Sequence, residues 1–228
     1  MTGLWTALLD LLYPPKCALC QTLLKREETA LCAKCRAALP DAPPEDRHGE
    51  FFSRCIVCLP YAGSIREAFL RYKFQGRTSY AALFGSLLAM RILQEAPEYD
   101  LLTWVPISAK RRRSRGYDQT RLLAEVAARE LGVTLTATLQ KTRNNAPQSS
   151  KASAAERRAN VLNHYRALHP EQLRGKRILL LDDICTTGAT LSECSRVLLT
   201  AGASSVVCAA FAAPEKKPDE NKNRLVIS

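Results

Sequence analysis

Residues 178–190 read Ile-Leu-Leu-Leu-Asp-Asp-Ile-Cys-Thr-Thr-Gly-Ala-Thr, which is the most informative stretch of the chain. Its apolar half predicts a buried strand, two adjacent carboxylates follow, and a Thr/Gly loop opens directly into a helical pattern. This order is typical of a parallel sheet that is covered by helices. Since ligands bind beyond the carboxyl ends of the strands in such sheets, the stretch also predicts where the site lies.

The loop after this strand has the chemistry of a phosphate site. Backbone amides at the start of a helix can point at one phosphate, and the residues that supply them here are Thr186, Thr187, Gly188, Ala189 and Thr190. Asp182 and Asp183 would repel that phosphate, so they must serve a sugar diol or a divalent cation. A phosphate loop beside a carboxylate pair predicts a ribose 5-phosphate site. The alternative is a surface turn with a threonine N-cap, in which two exposed aspartates stand at a strand end by chance.

Strand and helix patterns alternate along most of the chain. Over residues 100–212 this alternation predicts an α/β fold with a parallel sheet flanked by helices. A short amphipathic helix at residues 4–13 precedes the cysteines, and residues 40–50 form a Pro-rich linker. The predicted strands cover residues 51–61, 101–107, 134–139, 177–181 and 205–211, and the predicted helices cover residues 64–74, 78–95, 118–131, 154–162 and 188–200.

The composition excludes several classes of protein. The chain has 228 residues, of which 46% are hydrophobic and 24% charged, and this argues against disorder and against a collagen-like repeat. The most apolar N-terminal stretch, residues 4–13, is interrupted by Asp10 and is far shorter than the roughly 20 residues of a membrane span. It also lacks the features of a signal peptide, so we expect no membrane span and a cytoplasmic location. The 33 Lys and Arg against 22 Asp and Glu give a net charge of +11, which indicates either an anionic partner or a solvated basic surface.

Four N-terminal cysteines have the spacing of a zinc site. They form two Cys-x-x-Cys pairs separated by eleven residues, and they are Cys17, Cys20, Cys32 and Cys35. Two such turns complete a tetrahedral shell of four sulfurs, which suits Zn2+, and the segment is too short to fold on an apolar core alone. The alternative is a set of reduced thiols without a metal. Cys55 and Cys58 form a third pair inside an apolar strand pattern, which favours burial in the core and leaves a second metal as the alternative.

A basic run follows the predicted strand 101–107. Five positive residues lie within six positions, and they are Lys110, Arg111, Arg112, Arg113 and Arg115. We interpret the run as a loop at the carboxyl end of a strand, where it can bind pyrophosphate, follow a nucleic-acid backbone or lie in solvent. A second polar segment, residues 141–158, includes Arg157 and is typical of a loop that closes over a substrate. Aromatic residues are not interleaved with these charges, so no stacking platform for single strands is predicted.

The stretch 178–190 resembles the phosphoribosyl pyrophosphate signature of type I phosphoribosyltransferases. Together with the cysteine pairs and several short motifs, which occur in the same order as in that family, this stretch makes nearly the whole chain up to Pro214 similar to the ComF/GntX family. The short motifs are Arg71–Gly76, Val105–Ile107, Arg115–Gln119, Gln148 and Glu156–Val161. One position departs from the family, because Asp118 stands where its members commonly have Asn. The resemblance implies a small zinc-ribbon-like module at residues 1–45 and a phosphoribosyltransferase-like domain at residues 51–213. The mixture of Pro, Lys, Glu and Asn in residues 214–228 predicts a flexible tail.

The same resemblance implies a site and two alternative functions. In an enzyme, Asp182 and Asp183 would hold the ribose hydroxyls and Mg2+, the loop 186–190 would hold the 5-phosphate, and the remaining substrate-binding residues would be Lys110, Arg111, Arg112, Arg115 and Arg157. Such an enzyme would transfer the phosphoribosyl group from phosphoribosyl pyrophosphate to an acceptor that the sequence does not name. ComF-like proteins are associated with DNA uptake, so the alternative is a non-catalytic accessory factor of natural transformation. Its partners would be single-stranded DNA or DNA-uptake proteins.

Overall fold

The computed structural model of the protein describes residues 14–40, 44–142 and 163–215. In chain order the helices and strands are α1 (Ala33–Ala37), β1 (Cys55–Pro60), α2 (Gly63–Phe74), α3 (Tyr80–Glu95), β2 (Leu101–Trp104), α4 (Ala109–Arg115), α5 (Gln119–Glu130), β3 (Leu139–Lys141), β4 (Tyr165–Ala167), β5 (Arg177–Ile184), α6 (Ala189–Thr200) and β6 (Ser205–Ala213). No helix within these ranges has both the length and the apolar character that crossing a membrane requires.

Four strands form one parallel sheet in the order β1-β6-β5-β2. The central strand β5 pairs with β6 on one side and with β2 on the other. Its residues 178–183 are all buried, as expected of a strand that is covered on both faces. Strands β3 and β4 form a separate antiparallel pair, and β4 contacts α6. The predicted α/β class with a parallel sheet flanked by helices is confirmed.

The side chains of the sheet alternate between two hydrophobic layers. On one face, Leu179 and Leu181 of β5 pack with Phe211 of β6 and with helices α2, α3 and α5. On the other face, Ile178 and Leu180 pack with helix α6. Successive residues of a strand point to opposite faces, so a single apolar run supplies both layers. The helices therefore cover the two faces, and the loops at the strand ends form the site.

The cysteine module lies against the same core. Cys17, Ala18 and Leu19 are buried in the layer that contains α2 and α3. Arg71 of α2 donates hydrogen bonds of 2.9 and 2.7 Å to the carbonyl oxygens of Ala18 and Leu19. The module is thus attached to the helix whose last turn carries Lys73, a residue of the candidate site described below.

The basic run forms helix α4, so our interpretation of it as a loop was wrong. Ser108 caps this helix by accepting a hydrogen bond of 3.3 Å from the amide of Arg111, and Gly116 ends it with a φ of +81°. Lys and Arg have high helix propensity, and glycine adopts positive φ without strain, which explains a helix that has no apolar face. The helix was not predicted because regular spacing of apolar residues is the main sequence signal of a helix, and this segment has none.

The predicted strand 134–139 is also mostly wrong. Only Leu139 belongs to β3, and Leu135 makes a single bridge to Leu102. Alternating Thr and Leu residues favour a strand, but a strand needs a partner over several residues. That partner is β4, which we did not predict, and it pairs with residues 139–141.

Other boundaries differ by a few residues. The predicted strand 177–181 continues to Ile184, so both aspartates belong to the strand and do not follow it. The predicted strand 101–107 ends at Trp104, ahead of Pro106. The predicted helices at residues 4–13 and 154–162 lie outside the described residues.

Candidate functional site

A cavity of about 330 Å³ opens at the carboxyl ends of β2 and β5. Five predicted site residues lie on its wall, and they are Arg111, Asp182, Asp183, Thr186 and Thr190. Further polar residues line it that were not predicted to belong to the site, and they are Tyr61, Lys73, Gln119, Thr120, Lys141 and Tyr165. The fold therefore brings the carboxylate pair, the Thr/Gly loop and one residue of the basic run to one place.

Asp182 and Asp183 form a buried carboxyl pair, each only 7% exposed. The amide of Asp183 donates a hydrogen bond of 2.8 Å to Asp182 Oδ1, and the amide of Ile184 donates one of 2.6 Å to Asp183 Oδ1. Burial raises the pKa of the Asp182 carboxyl well above its usual range, and the neighbouring Asp183 carboxylate raises it further. A cation or a pair of hydroxyl donors would stabilise these buried charges.

Asp183 is held in place by residues from three helices. Gln119, the first residue of α5, donates a hydrogen bond of 3.0 Å from Nε2 to Asp183 Oδ2. The Nζ atom of Lys73 lies 3.8 Å from the same oxygen. Arg115 of α4 in turn donates a hydrogen bond of 2.9 Å to Gln119 Oε1. These contacts fix the orientation of the carboxylate before any ligand binds.

The departure at Asp118 has a structural explanation. Its carboxylate caps α5 by accepting a hydrogen bond of 3.1 Å from the amide of Arg121, and it accepts another of 3.2 Å from the amide of Ile107. Burial raises the pKa of this carboxyl. Asp118 therefore fastens the segment after β2 to α5, and it is not among the residues that line the cavity.

The loop before α6 has the form of a phosphate-binding turn. Thr186 and Thr187 are exposed, and Gly188 is the N-cap of α6 with a φ of +74°. Because a glycine offers no side-chain acceptor, the first-turn amides are available to a ligand, although the amide of Ala189 donates a long hydrogen bond of 3.4 Å to Thr187 Oγ1. Thr186 and Thr190 line the same cavity as the two aspartates.

The predicted basic ligands are divided by the helical form of α4. Arg111 lines the cavity, and Arg115 lines a neighbouring one. Lys110 and Arg112 are exposed and line neither cavity. Successive residues of a helix are rotated by about 100°, so these side chains cannot all face one site. Arg157 lies outside the described residues.

The neighbouring cavity, of about 390 Å³, shares Lys73 and Arg111 with the first. Two aromatic residues line it, Tyr117 and Phe74, and Phe74 is 63% exposed. The guanidinium of Arg115 lies 5.0 Å from the centroid of the Phe74 ring. No aromatic residue is interleaved with the basic residues in the sequence, but the structure places Phe74 beside Arg115. The fold brings the ends of α2 and α4 together although they are distant in the sequence.

Lys141 and Tyr165 enter the first cavity from β3 and β4. Lys141 Nζ donates a hydrogen bond of 2.9 Å to Tyr165 Oη and lies 4.8 Å from the centroid of its ring. Burial, together with the charge of Arg111, lowers the pKa of Lys141 to about 8. Lys141 has no distinguishing signal in the sequence beyond its place in a polar segment. Its position on the wall depends on the pairing of β3 with β4.

The four N-terminal cysteines form a single cluster, in which all Sγ atoms lie within 4.8 Å of one another. Cys20 Sγ lies 3.7 Å from Cys32 Sγ. A tetrahedral ion with Zn–S bonds of about 2.3 Å places its sulfurs about 3.8 Å apart, so the set fits Zn2+. A side-chain hydrogen bond with Thr22 lowers the pKa of Cys20 to about 6, which favours the thiolate that a metal requires.

Cys55 and Cys58 belong to different layers of the core. They are three positions apart along β1, so their side chains point to opposite faces of the sheet. Cys55 packs in the layer of α6, and Cys58 packs in the layer of α2 and α3. One ion cannot be bound from both faces, and in the described ranges the N-terminal cluster is the metal-ligand group that we find. Burial in the core therefore explains this pair.

Comparison with known families agrees with both parts of this description. Residues 8–48 match the family described as double zinc ribbon domain, and residues 120–227 match the family described as phosphoribosyl transferase domain. The protein therefore combines an N-terminal zinc ribbon with a domain of the type I phosphoribosyltransferase fold.

Proteins of similar sequence narrow the class of protein further. The chain is 29% identical over 202 residues to the DNA utilization protein YhgH of Salmonella typhi, which covers 83% of this chain and 86% of the relative. It is 28% identical over 203 residues to the competence protein ComFC of Streptococcus pneumoniae, which covers 81% of this chain and 88% of the relative. The resemblance to the ComF/GntX family is thereby confirmed.

Among solved structures, the chain is similar to the glutamine phosphoribosylpyrophosphate amidotransferase of B. subtilis. It is 24% identical, with a TM-score of 0.45, and the match covers 65% of this chain and 32% of that one. The matched part of the present chain thus spans about a third of the length of that protein.

Proposed function

We propose that the protein binds phosphoribosyl pyrophosphate and Mg2+ in the cavity at the ends of β2 and β5 and transfers the phosphoribosyl group to an acceptor. The observation that carries this proposal is that the buried pair Asp182 and Asp183 lines the same cavity as Thr186 and Thr190 of the phosphate-binding turn. A ribose 5-phosphate would present its vicinal hydroxyls to the two aspartates and its phosphate to the turn that contains Thr186 and Thr190. The names of the relatives support a role in DNA utilization and competence.

The proposed reaction is a displacement at carbon 1 of the ribose. The lone pair of the acceptor forms the new bond to this carbon, and the bond to the pyrophosphate oxygen breaks. Pyrophosphate leaves with that electron pair, and the proton of the acceptor passes to solvent. Arg111 would stabilise the charge that grows on the leaving group, and Asp182 and Asp183 would stabilise the positive charge that develops on the ribose.

The donor set at the aspartates suits Mg2+, because carboxylates beside the oxygens of a diphosphate are the hard ligands that this ion prefers. When bound, the ion would neutralise part of the charge on the pyrophosphate. Asp182 and Asp183 would hold it. Lys73 and Gln119 would keep Asp183 oriented through their contacts with its Oδ2 atom.

Calorimetric titration of the zinc-loaded chain with phosphoribosyl pyrophosphate, with and without Mg2+, tests the binding step. We expect the tightest binding with Mg2+ present, and weaker binding of ribose 5-phosphate and of pyrophosphate, because each fills only part of the site. Failure of all three to bind would refute the proposal. Release of pyrophosphate in the presence of nucleobase or amine acceptors tests transfer, and binding without release from any acceptor would refute transfer and favour an accessory role.

A second candidate function, binding of single-stranded DNA by an accessory factor of DNA uptake, is supported by the neighbouring cavity. Exposed Phe74 offers a ring on which a base can stack, and Arg111 and Arg115 line the same cavity and can bind phosphates. Sites for single strands combine these two features. Arg112 and Arg113 add exposed positive charge on α4.

Salt titrations of oligonucleotide binding test this second function. The double variant Arg112→Ala/Arg113→Ala removes two exposed charges and leaves the cavity residues in place. For single strands, the slope of log affinity against log salt should become shallower by about 1.4. A control variant, Arg174→Ala/Lys176→Ala, removes the same charge from exposed residues next to the start of β5 and should leave the slope unchanged. Equal slopes for the wild type and both variants would contradict the proposal.

We infer a cytoplasmic location from the chemistry of the cysteine cluster. Zinc binding by four cysteines requires thiolates, and the cytosol keeps cysteines reduced. DNA-uptake proteins are the macromolecular partners that this location and the relatives' names favour.

A further inference from the structure

Arg71 connects the cysteine module to the last turn of α2. Its guanidinium donates hydrogen bonds of 2.9 and 2.7 Å to the carbonyl oxygens of Ala18 and Leu19. These two residues lie between Cys17 and Cys20, so they belong to the first chelating turn. Among the ion pairs within the described ranges, none includes Arg71. The carbonyl groups of the chelating turn are therefore the partners that orient this guanidinium.

A second contact holds the start of α3. Gln21 follows Cys20, and its Nε2 atom donates hydrogen bonds of 2.8 Å to the carbonyl oxygen of Cys17 and to the hydroxyl of Tyr80. Tyr80 is the first residue of α3. The chelating turn thus contacts the end of α2 through Arg71 and the start of α3 through Tyr80. It therefore holds both sides of the connection between these two helices.

The last turn of α2 also contacts the residues that orient Asp183. Buried Tyr72 donates a hydrogen bond of 2.6 Å to the carbonyl oxygen of Gln119, whose side chain donates one of 3.0 Å to Asp183. The Nζ atom of Lys73 lies 3.8 Å from the same carboxylate. Three consecutive residues, 71–73, therefore connect the chelating turn to Asp183 by two routes.

We propose that Arg71 is a positioning residue through which zinc in the cysteine module strengthens ligand binding in the cavity at the ends of β2 and β5. The inference rests on the proposed function and adds to it a coupling between the two parts of the chain. A chelating turn this short acquires its structure from the metal. With zinc bound, the carbonyl groups of Ala18 and Leu19 are fixed, so Arg71 holds the helix end at which Lys73 contacts Asp183. Without zinc these acceptors are not fixed, and a ligand must order the helix end as it binds, which weakens its affinity.

Coupling between two binding sites is reciprocal, so the ligand must strengthen zinc binding by the same factor. Competition for zinc with a chelator of known affinity measures this factor when it is carried out with and without phosphoribosyl pyrophosphate at constant, saturating Mg2+. For the wild type we expect the ligand to raise the zinc affinity about five- to twentyfold, the lower part of the usual range of couplings, because the connection passes through one helix turn. The chelator titrated without protein corrects for zinc that the ligand itself binds.

Variants of Arg71 distinguish positioning from a purely structural role. Arg71→Met removes both hydrogen bonds and should reduce the factor to about one, whereas a merely weaker module would lose the same zinc affinity with and without ligand. Arg71→Lys keeps a donor that can reach one carbonyl oxygen, so it should keep part of the factor. The control Arg66→Met removes an exposed guanidinium from the same helix and should keep the full factor.

The possible results separate this inference from the proposed function. If the wild type binds phosphoribosyl pyrophosphate and its zinc affinity does not respond, or if Arg71→Met keeps the full response, the inference is overturned while the proposed function stands. If the wild type does not bind this ligand, the proposed function fails. Hydrogen exchange of the zinc-loaded proteins is then the test, because the amide of Gln75 donates a hydrogen bond of 2.9 Å to the carbonyl oxygen of Arg71 at the end of α2. Equal protection of residues 71–75 in the wild type and Arg71→Met would overturn the inference as well.

Discussion

Replacement of Asp183 by Asn separates the charge of the carboxylate pair from its shape. The variant keeps the volume of the side chain and the acceptor for the amide of Ile184, but it removes the charge that would bind ribose hydroxyls or organise the cation. Hydrogen bonds to a charged group contribute about 1.5–3 kcal/mol, so the affinity for phosphoribosyl pyrophosphate with Mg2+ should fall about ten- to hundred-fold. Isothermal titration calorimetry at constant Mg2+ measures this change.

The Asp183→Asn variant should be less stable than the wild type by about 1–3 kcal/mol. The substitution turns the acceptor of the buried Gln119 hydrogen bond into a donor and removes the 3.8 Å ion pair with Lys73, while relief of the repulsion with Asp182 acts in the opposite direction. Urea denaturation checks this expectation. Asp100→Asn is the control, because Asp100 pairs with Arg177 at the start of β5 and should not affect the ligand. Equal affinity of the wild type and Asp183→Asn would show that the ribose site is wrongly assigned.

Three further results are expected. Elemental analysis of the purified protein should give about one zinc per chain, and a ratio near two would contradict a single site formed by the N-terminal cysteine cluster. Because burial raises the pKa of Asp182, the folded state holds this proton more tightly than the unfolded state, so its contribution to stability is lost as pH rises from about 4. The Asp182→Asn variant should therefore be more stable than the wild type at pH 7, and this advantage should disappear below pH 4. Urea denaturation of both proteins at the two pH values measures the difference in the free energy of unfolding. Gly188→Ala places a side chain at a φ of +74° and should destabilise by about 1–2 kcal/mol, seen as a fall of several degrees in Tm, and an unchanged Tm would show that the turn tolerates a side chain.

The part of the site that could be predicted from the sequence is local. The strand, the aspartates and the turn before α6 are continuous in the chain, so their order alone placed Asp182 and Asp183 beside Thr186 and Thr190. The zinc cluster was predictable for the same reason, since the spacing of the cysteines sets the two chelating turns.

The residues that the sequence did not reveal come from distant elements. Lys73 and Phe74 end α2, inside the motif Arg71–Gly76 to which no site role was assigned, and Lys141 ends β3 in a segment without a motif. Their places depend on how the helices pack on the sheet, which one sequence does not specify. Helix α4 was missed for a different reason, because a helix made of charged residues has no apolar periodicity and is recognised by its caps, Ser108 and Gly116.

The attachment of Arg71 to the cysteine module sets a limit on how the chain can be shortened for experiments. A fragment that starts after residue 45 would leave the Arg71 guanidinium without the carbonyl oxygens of Ala18 and Leu19. It would also expose the apolar surface of α2 and α3 that the module covers. Such a fragment should aggregate, because exposed apolar surface promotes association. Expression and crystallisation of the phosphoribosyltransferase-like domain should therefore retain the cysteines and supply zinc during growth.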